Sequence, residues 1–168
     1  AFGSKLIEKP LLRRQLMKLM VPTEQALSMY LYTAKMMEAG DAGDEQAAKM
    51  TRILTPLLKY RTARGNVKVA TSAMEVRGGN GYIEDWVNPR LVRDAHLGVL
   101  WEGTSNINSL DVVNRAVGKV GAHHDLGNGL TELLDQEKEL PGQFGGQLKN
   151  MIEQTVKLAD TVAREGRE

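Results

Sequence analysis

The chain has 168 residues, a net charge of +1, 42% apolar and 26% charged residues, which is the composition of a soluble globular protein rather than of a disordered one. The lack of cysteine excludes disulfides, thiol nucleophiles and cysteine-ligated metals, and agrees with a reducing compartment: the cytoplasm, or an organelle matrix in a eukaryote. No run reaches the roughly 18 apolar residues of a membrane span and no charged-then-apolar leader opens the sequence, so no membrane span is expected. The length suits one domain, or a piece cut from a longer protein at a domain boundary, and the first residue is Ala1 rather than Met.

Helical periodicity dominates from the start. Leu12, Leu16, Leu19, Met20, Leu27, Leu31, Ala34 and Met37 recur at helical spacing, with Pro10 suited to the first turn and Gly40 to the stop. Pro22 predicts a kink or a brief break. After "GDAGD", Asp44 can cap a second long helix reaching about Arg77, interrupted at Pro56 and ended by Gly78 and Gly79. Asn88-Pro89 reads as the start of a short helix, and Thr104 opens another to about Val120. A glycine-containing connector, "HHDLGNG", precedes Leu130–Leu134 and a last helix marked by Leu148, Ile152, Val156, Ala159 and Val162. Few segments alternate as strands do. The expected fold is all-α, an up-and-down bundle of about four principal helices.

Charge is uneven along the chain. Residues 52–94 carry 8 Lys and Arg against 4 acids, and residues 102–168 carry 7 against 11. A basic middle suits phosphates, whether of a nucleotide cofactor, coenzyme A or nucleic acid, and equally suits solvated helix faces.

Three stretches could carry chemistry. In "VLWEGTSN" (99–106), Glu102 lies between an apolar run and a small polar turn. Thr104 makes a helix start one reading, with the acid favoured by the dipole; a general base is the other, because burial raises a carboxylate's pKa. "RGGNGY" (77–82) has three glycines that allow positive φ and close approach, but it lacks both a preceding strand and Gly-Lys-Ser/Thr, so neither a dinucleotide turn nor a P-loop is supported. His123-His124-Asp125 invites a metal. Adjacent histidines on a helix point to different faces and no third ligand recurs at i+4, so no metal site is expected. His96 reads as a packed or surface residue, and Ser105 and Ser109 lack a nucleophile elbow.

The stretch "AMEVRGGNGYIEDWVNPRLVRDAHLGVLWEGTSNINSLDV" resembles the C-terminal signature of the acyl-CoA dehydrogenase family: Gly-Gly-x-Gly-aromatic, a Pro-initiated helix, Arg-Asp-Ala, then aromatic-Glu-Gly-Thr. "AFGSKLIEKPLL" is similar to the family's opening with its Arg removed. The resemblance covers about the first 120 residues. It implies a helical bundle domain over 1–122 with a helical extension over 123–168 packing on it, from an FAD flavoprotein whose N-terminal helical domain and middle β-domain lie outside this chain.

By the same resemblance Glu102 aligns with the base that takes the α-proton of an acyl-CoA thioester while the β-hydride passes to the flavin, and its backbone N–H polarises the thioester carbonyl. Trp101, in place of the usual Tyr, and Gly103 fall at the substrate. Thr104 and Asn106 match positions touching the flavin of their own subunit. Phe2, Gly78 and Gly79 match positions near the flavin of a neighbouring subunit, as does Glu75, where many members have Gln. A homo-oligomer (dimer or tetramer), an acyl-CoA substrate and an electron-transfer partner follow as implications. "AMEVRGGNGY", "WEGTSNINSLDV" and the tail after His124 resemble the alkylation-response branch, which is associated with DNA and weak dehydrogenase activity. The alternative is therefore a DNA-associated flavoprotein using Lys59, Arg61 and Arg64.

Overall fold

The computed structural model describes residues 3–165, and Phe2 lies outside them. Among the described residues the elements are helices: a 3-10 turn at Leu6–Glu8, then α1 (Pro10–Asp41), α2 (Glu45–Val76), α3 (Gly79–Tyr82), α4 (Asn88–Leu97), α5 (Ser105–Asp111), a π segment (Val112–Val117), α6 (Ala122–Gln136) and α7 (Gly142–Glu165). The all-α expectation holds, and α1, α2, α6 and α7 are the four principal helices.

Each proline predicted to interrupt a helix lies within one. Pro22 is inside α1 and Pro56, buried, is inside α2. A proline there frees the carbonyl four residues back, at Lys18 and Arg52, and breakage is a tendency that tertiary packing overrides. The α1 stop also differs from expectation. Gly43 takes φ 103°, its N–H donates to the Gly40 carbonyl at 3.0 Å, and the Asp44 N–H donates to the Ala39 carbonyl at 3.0 Å. That is a glycine-terminated helix end of the Schellman type. Gly40 sits inside the helix because a Cβ there would lie 3.0 Å from Ala48 Cα. Asp44 caps α2 as its position implied, accepting from the Ala47 N–H at 3.0 Å.

Two compact units divide the chain. The first takes the residues up to Leu31 together with Leu58–Ser105; the second takes Tyr32–Leu57 with residues 106–165. The helices α1 and α2 thus each give one segment to each unit. In the second unit Ile53, Ala116, Val117 and Ala122 form the buried nucleus, with Leu57, Val112, Leu126, Ala159 and Ala163 packed on it. The segment expected as a connector, "HHDLGNG", is helical instead, within α6. Its glycines serve contact rather than turning: a Cβ on Gly127 would lie 2.8 Å from Val156 Cγ2 and one on Gly129 2.7 Å from Met50 Cε. The turn falls at Gly121, φ 70°.

A bidentate pair ties α2 to the end of α5 in this unit. Arg52 Nη1 and Nη2 donate to Asp111 Oδ2 and Oδ1, both at 2.8 Å, and Arg115 stands 3.4 Å away. The Arg52 hydrogen bond and charge, helped by Arg115, hold the Asp111 carboxyl below its usual range against the opposing effect of burial. A depressed folded pKa gives stability that is complete above the unfolded value, about 3.9, and lost as pH falls through the folded one. Asp111→Asn should therefore cost about 1–2 kcal/mol at pH 7, after discounting for partial exposure, and the gap to wild type should narrow as pH falls below the unfolded value of about 3.9. Urea unfolding across pH 2–7 measures it; a gap independent of pH would contradict the assignment.

Candidate functional site

Glu102 sits in the turn between α4 and α5, and its backbone is unusual. It has φ 53°, the one non-glycine with positive φ among the described residues, and Gly103 follows at φ 99°. An L-residue in the left-handed region costs about 1–2 kcal/mol, and such strain persists where the surroundings over-determine it. The chain leaves α4 through a tight turn in which the N–H groups of Leu100 and Trp101 both donate to the Leu97 carbonyl, at 3.0 and 3.3 Å. Thr104 immediately precedes α5, as a helix-start residue should, but Glu102 lies outside the first helical turn. The helix-start reading thus accounts for Thr104 and leaves Glu102 unexplained.

Within the first unit, Trp101 and Glu102 line a cleft of about 880 Å³ whose other walls come from α1 (Lys18, Pro22, Met29) and α2 (Lys59, Arg61, Lys68, Ser72). Four cations against one carboxylate make its lining basic. Lys59 is held in place by donating to the Gly98 carbonyl at 2.5 Å. Arg64, the third residue of the nucleic-acid reading, donates to Ser105 Oγ at 3.1 Å and stacks over Tyr60 at 5.7 Å. The sequence reading placed Glu102 in water-poor surroundings; in this chain Glu102 is exposed and Trp101 is 58% exposed, so the apolar enclosure is not built from these residues. Lys68 belongs to the basic stretch 52–94, whereas nothing in the local sequence signalled Lys18, which reaches the cleft from α1.

The glycine turn after α2 separates into distinct roles. Gly78 takes φ 59°, ψ −141°, a conformation that in practice only glycine adopts. Gly81 is buried, and a Cβ on it would lie 2.1 Å from the Met74 carbonyl oxygen. Gly79 meets neither condition: nothing lies within 4 Å of its added Cβ. Glu75, Gly78 and Gly79 are exposed and do not line the cleft at Glu102. Asn106, exposed in the first turn of α5, belongs to the second unit.

The histidine pair departs most from expectation. His123 Nε2 and His124 Nε2 each lie 3.0 Å from Asp160 Oδ1, with ring centroids 4.0 Å apart. The two imidazoles were expected to diverge and instead meet at a common point, and the third group comes from α7 rather than from i+4. The His123 hydrogen bond, then the charges of both histidines, keep the Asp160 carboxyl below its usual range.

Fold and site together define an all-α domain with a strained carboxylate beside a basic cleft. A family model described as "Acyl-CoA dehydrogenase, C-terminal domain" matches residues 1–118, and the chain belongs to the acyl-CoA dehydrogenase family. It is 34% identical over 140 residues to "Acyl-CoA dehydrogenase family member 11" of Caenorhabditis elegans, covering 82% of this chain and 22% of that protein. It is 30% identical over 164 residues to "Putative acyl-CoA dehydrogenase AidB" of Escherichia coli K12, covering 98% of this chain and 29% of that one. The solved structure "Bd2924 apo-form" superposes with a TM-score of 0.75 at 30% identity, over 97% of this chain and 32% of that one. The chain therefore spans less than a third of the length of these relatives. No described helix is long and apolar enough to cross a membrane.

Proposed function

We propose that this chain is the C-terminal helical wall of an FAD-dependent acyl-CoA dehydrogenase, with residues 1–122 as the bundle domain, 123–168 as its extension and Glu102 as the base. The observation that carries this reading is the left-handed backbone at Glu102, a strained conformation for a residue with a side chain, in the lining of a basic cleft. A carboxylate there takes the α-proton of a bound thioester, and the Glu102 N–H, in a turn rather than a helix, is available to polarise the thioester carbonyl. Lys18, Lys59, Arg61 and Lys68 offer charge to a phosphate-bearing substrate such as coenzyme A. Trp101 supplies an apolar face beside the acid.

Gly79 supports the cofactor assignment. Its neighbourhood is open and its conformation asks nothing of glycine, which leaves room for a flat cofactor close to the backbone. Gly78, Gly79, Glu75 and Phe2 would face the FAD of a neighbouring subunit, and Thr104 and Asn106 that of their own. FAD, when bound, accepts the β-hydride. Met20, Leu27 and Leu31 form an exposed apolar stripe on α1, consistent with cover by another domain or a second subunit in a dimer or tetramer.

The test is Gly79→Ala in the full-length protein. Stability should stay within about 0.5 kcal/mol, because the new methyl meets nothing in this chain. FAD affinity should fall at least about tenfold, read by flavin fluorescence; unchanged affinity would contradict the cofactor role. The DNA-associated alternative predicts instead binding that weakens steeply with salt and on replacing Arg61.

A further inference from the structure

We propose that His123, His124 and Asp160 form a binding site for one borderline transition-metal dication of the zinc class. The site lies in the second unit, beyond the residues matched by the family model, and plays no part in the chemistry assigned to Glu102.

Its geometry fits a metal. Ligand atoms bound at about 2.0–2.2 Å with angles near 90–110° stand about 2.9–3.5 Å from one another. Both Nε2 atoms lie 3.0 Å from one carboxylate oxygen, and the three atoms all fall within 4.8 Å of one another. The donors come from two elements that pack together. Gly121 in the left-handed conformation starts α6, which puts His123 and His124 in its first turn, and Asp160 faces them from the last turns of α7. Gly127 sets how close these helices come, its Cα lying against Val156.

Two imidazoles and one carboxylate, with no thiolate, select Zn²⁺, Co²⁺ or Ni²⁺ over the hard oxygen-seeking Mg²⁺ and Ca²⁺. The His123 side chain is buried, while His124 and Asp160 are 54% and 40% exposed, so one side is anchored and the other open to solvent. Three protein ligands leave room for water in the remaining position. A recess of about 590 Å³ opens beside them and is lined also by Lys119 and Arg164. These cations oppose a metal, and the buried His123 Nδ1 has no hydrogen-bond partner to fix the ring. Both facts lower the affinity without altering which atoms bind.

The test uses the full-length protein, titrated with ZnCl₂ by calorimetry and with CoCl₂ by visible difference absorption. One additional metal per chain should bind in wild type with a cobalt d–d band. His124→Ala, on the exposed member and so least able to disturb folding, and Asp160→Asn should each weaken it at least about 100-fold, the upper end of the loss for a mere outer-shell partner. His96→Ala, on α4 in the other unit, should bind as wild type does. Absence of binding to wild type, or unchanged binding in His124→Ala, would overturn the site and leave a hydrogen-bonded His-Asp-His cluster only.

Discussion

Glu102→Gln in the full-length protein should slow flavin reduction by acyl-CoA by about 10²–10⁴-fold, the range typical of losing a general base, with FAD still bound. Gln keeps the shape of Glu and removes the proton acceptor. Stability should hardly change, because the residue is exposed and lies outside the first turn of α5. Glu102→Gly sharpens the contrast. It relieves the positive φ of 53° and so should not destabilise the protein, yet it should abolish reduction just as Gln does. An acid kept merely to start a helix would behave the other way, with stability falling by up to about 1 kcal/mol and reduction intact. Anaerobic stopped-flow absorbance beside urea unfolding reads both.

Gly81→Ala should be the most damaging small substitution in the glycine turn, at about 3 kcal/mol. The added methyl would sit 2.1 Å from the Met74 carbonyl oxygen and 2.9 Å from its carbon, both backbone atoms of α2 that no rotamer change can move aside. The turn must therefore shift, and with it Gly78 and Gly79. Loss of flavin should accompany the loss of stability in Gly81→Ala, whereas Gly79→Ala should lose flavin alone. Thermal unfolding midpoints of the two variants test this, and equal midpoints would contradict it.

The sequence made the helices readable because their signals are local. Asp44 as a cap, Pro10 in a first turn and the 3.6-residue apolar spacing need no knowledge of what packs where. The misreadings came where a residue answers to a distant neighbour. Gly40, Gly127 and Gly129 look like stops or connectors in one dimension, and each is instead a place where another helix comes close, to Ala48, Val156 and Met50 respectively. Pro22 and Pro56 are the converse case, breakers that helices absorb. The site followed the same pattern. Glu102 entered as a candidate through the aromatic-Glu-Gly-Thr motif and Lys59, Arg61 and Lys68 through the basic middle, whereas the left-handed backbone of Glu102 and the approach of Lys18 belong to the fold. The meeting of His123 and His124 with Asp160, 37 residues on, had no local signal at all.

The central claim is that Glu102 removes the α-proton, and solvent exchange measures that step apart from oxidation. An acyl-CoA whose β-carbon is replaced by sulfur has no β-hydride to give, so in D₂O the full-length protein can only exchange its α-hydrogens. Wild type should incorporate deuterium at the α-carbon, followed by mass spectrometry, and Glu102→Gln should lose that exchange at least about 100-fold with the ligand still bound. Exchange at the wild-type rate in Glu102→Gln would contradict the account.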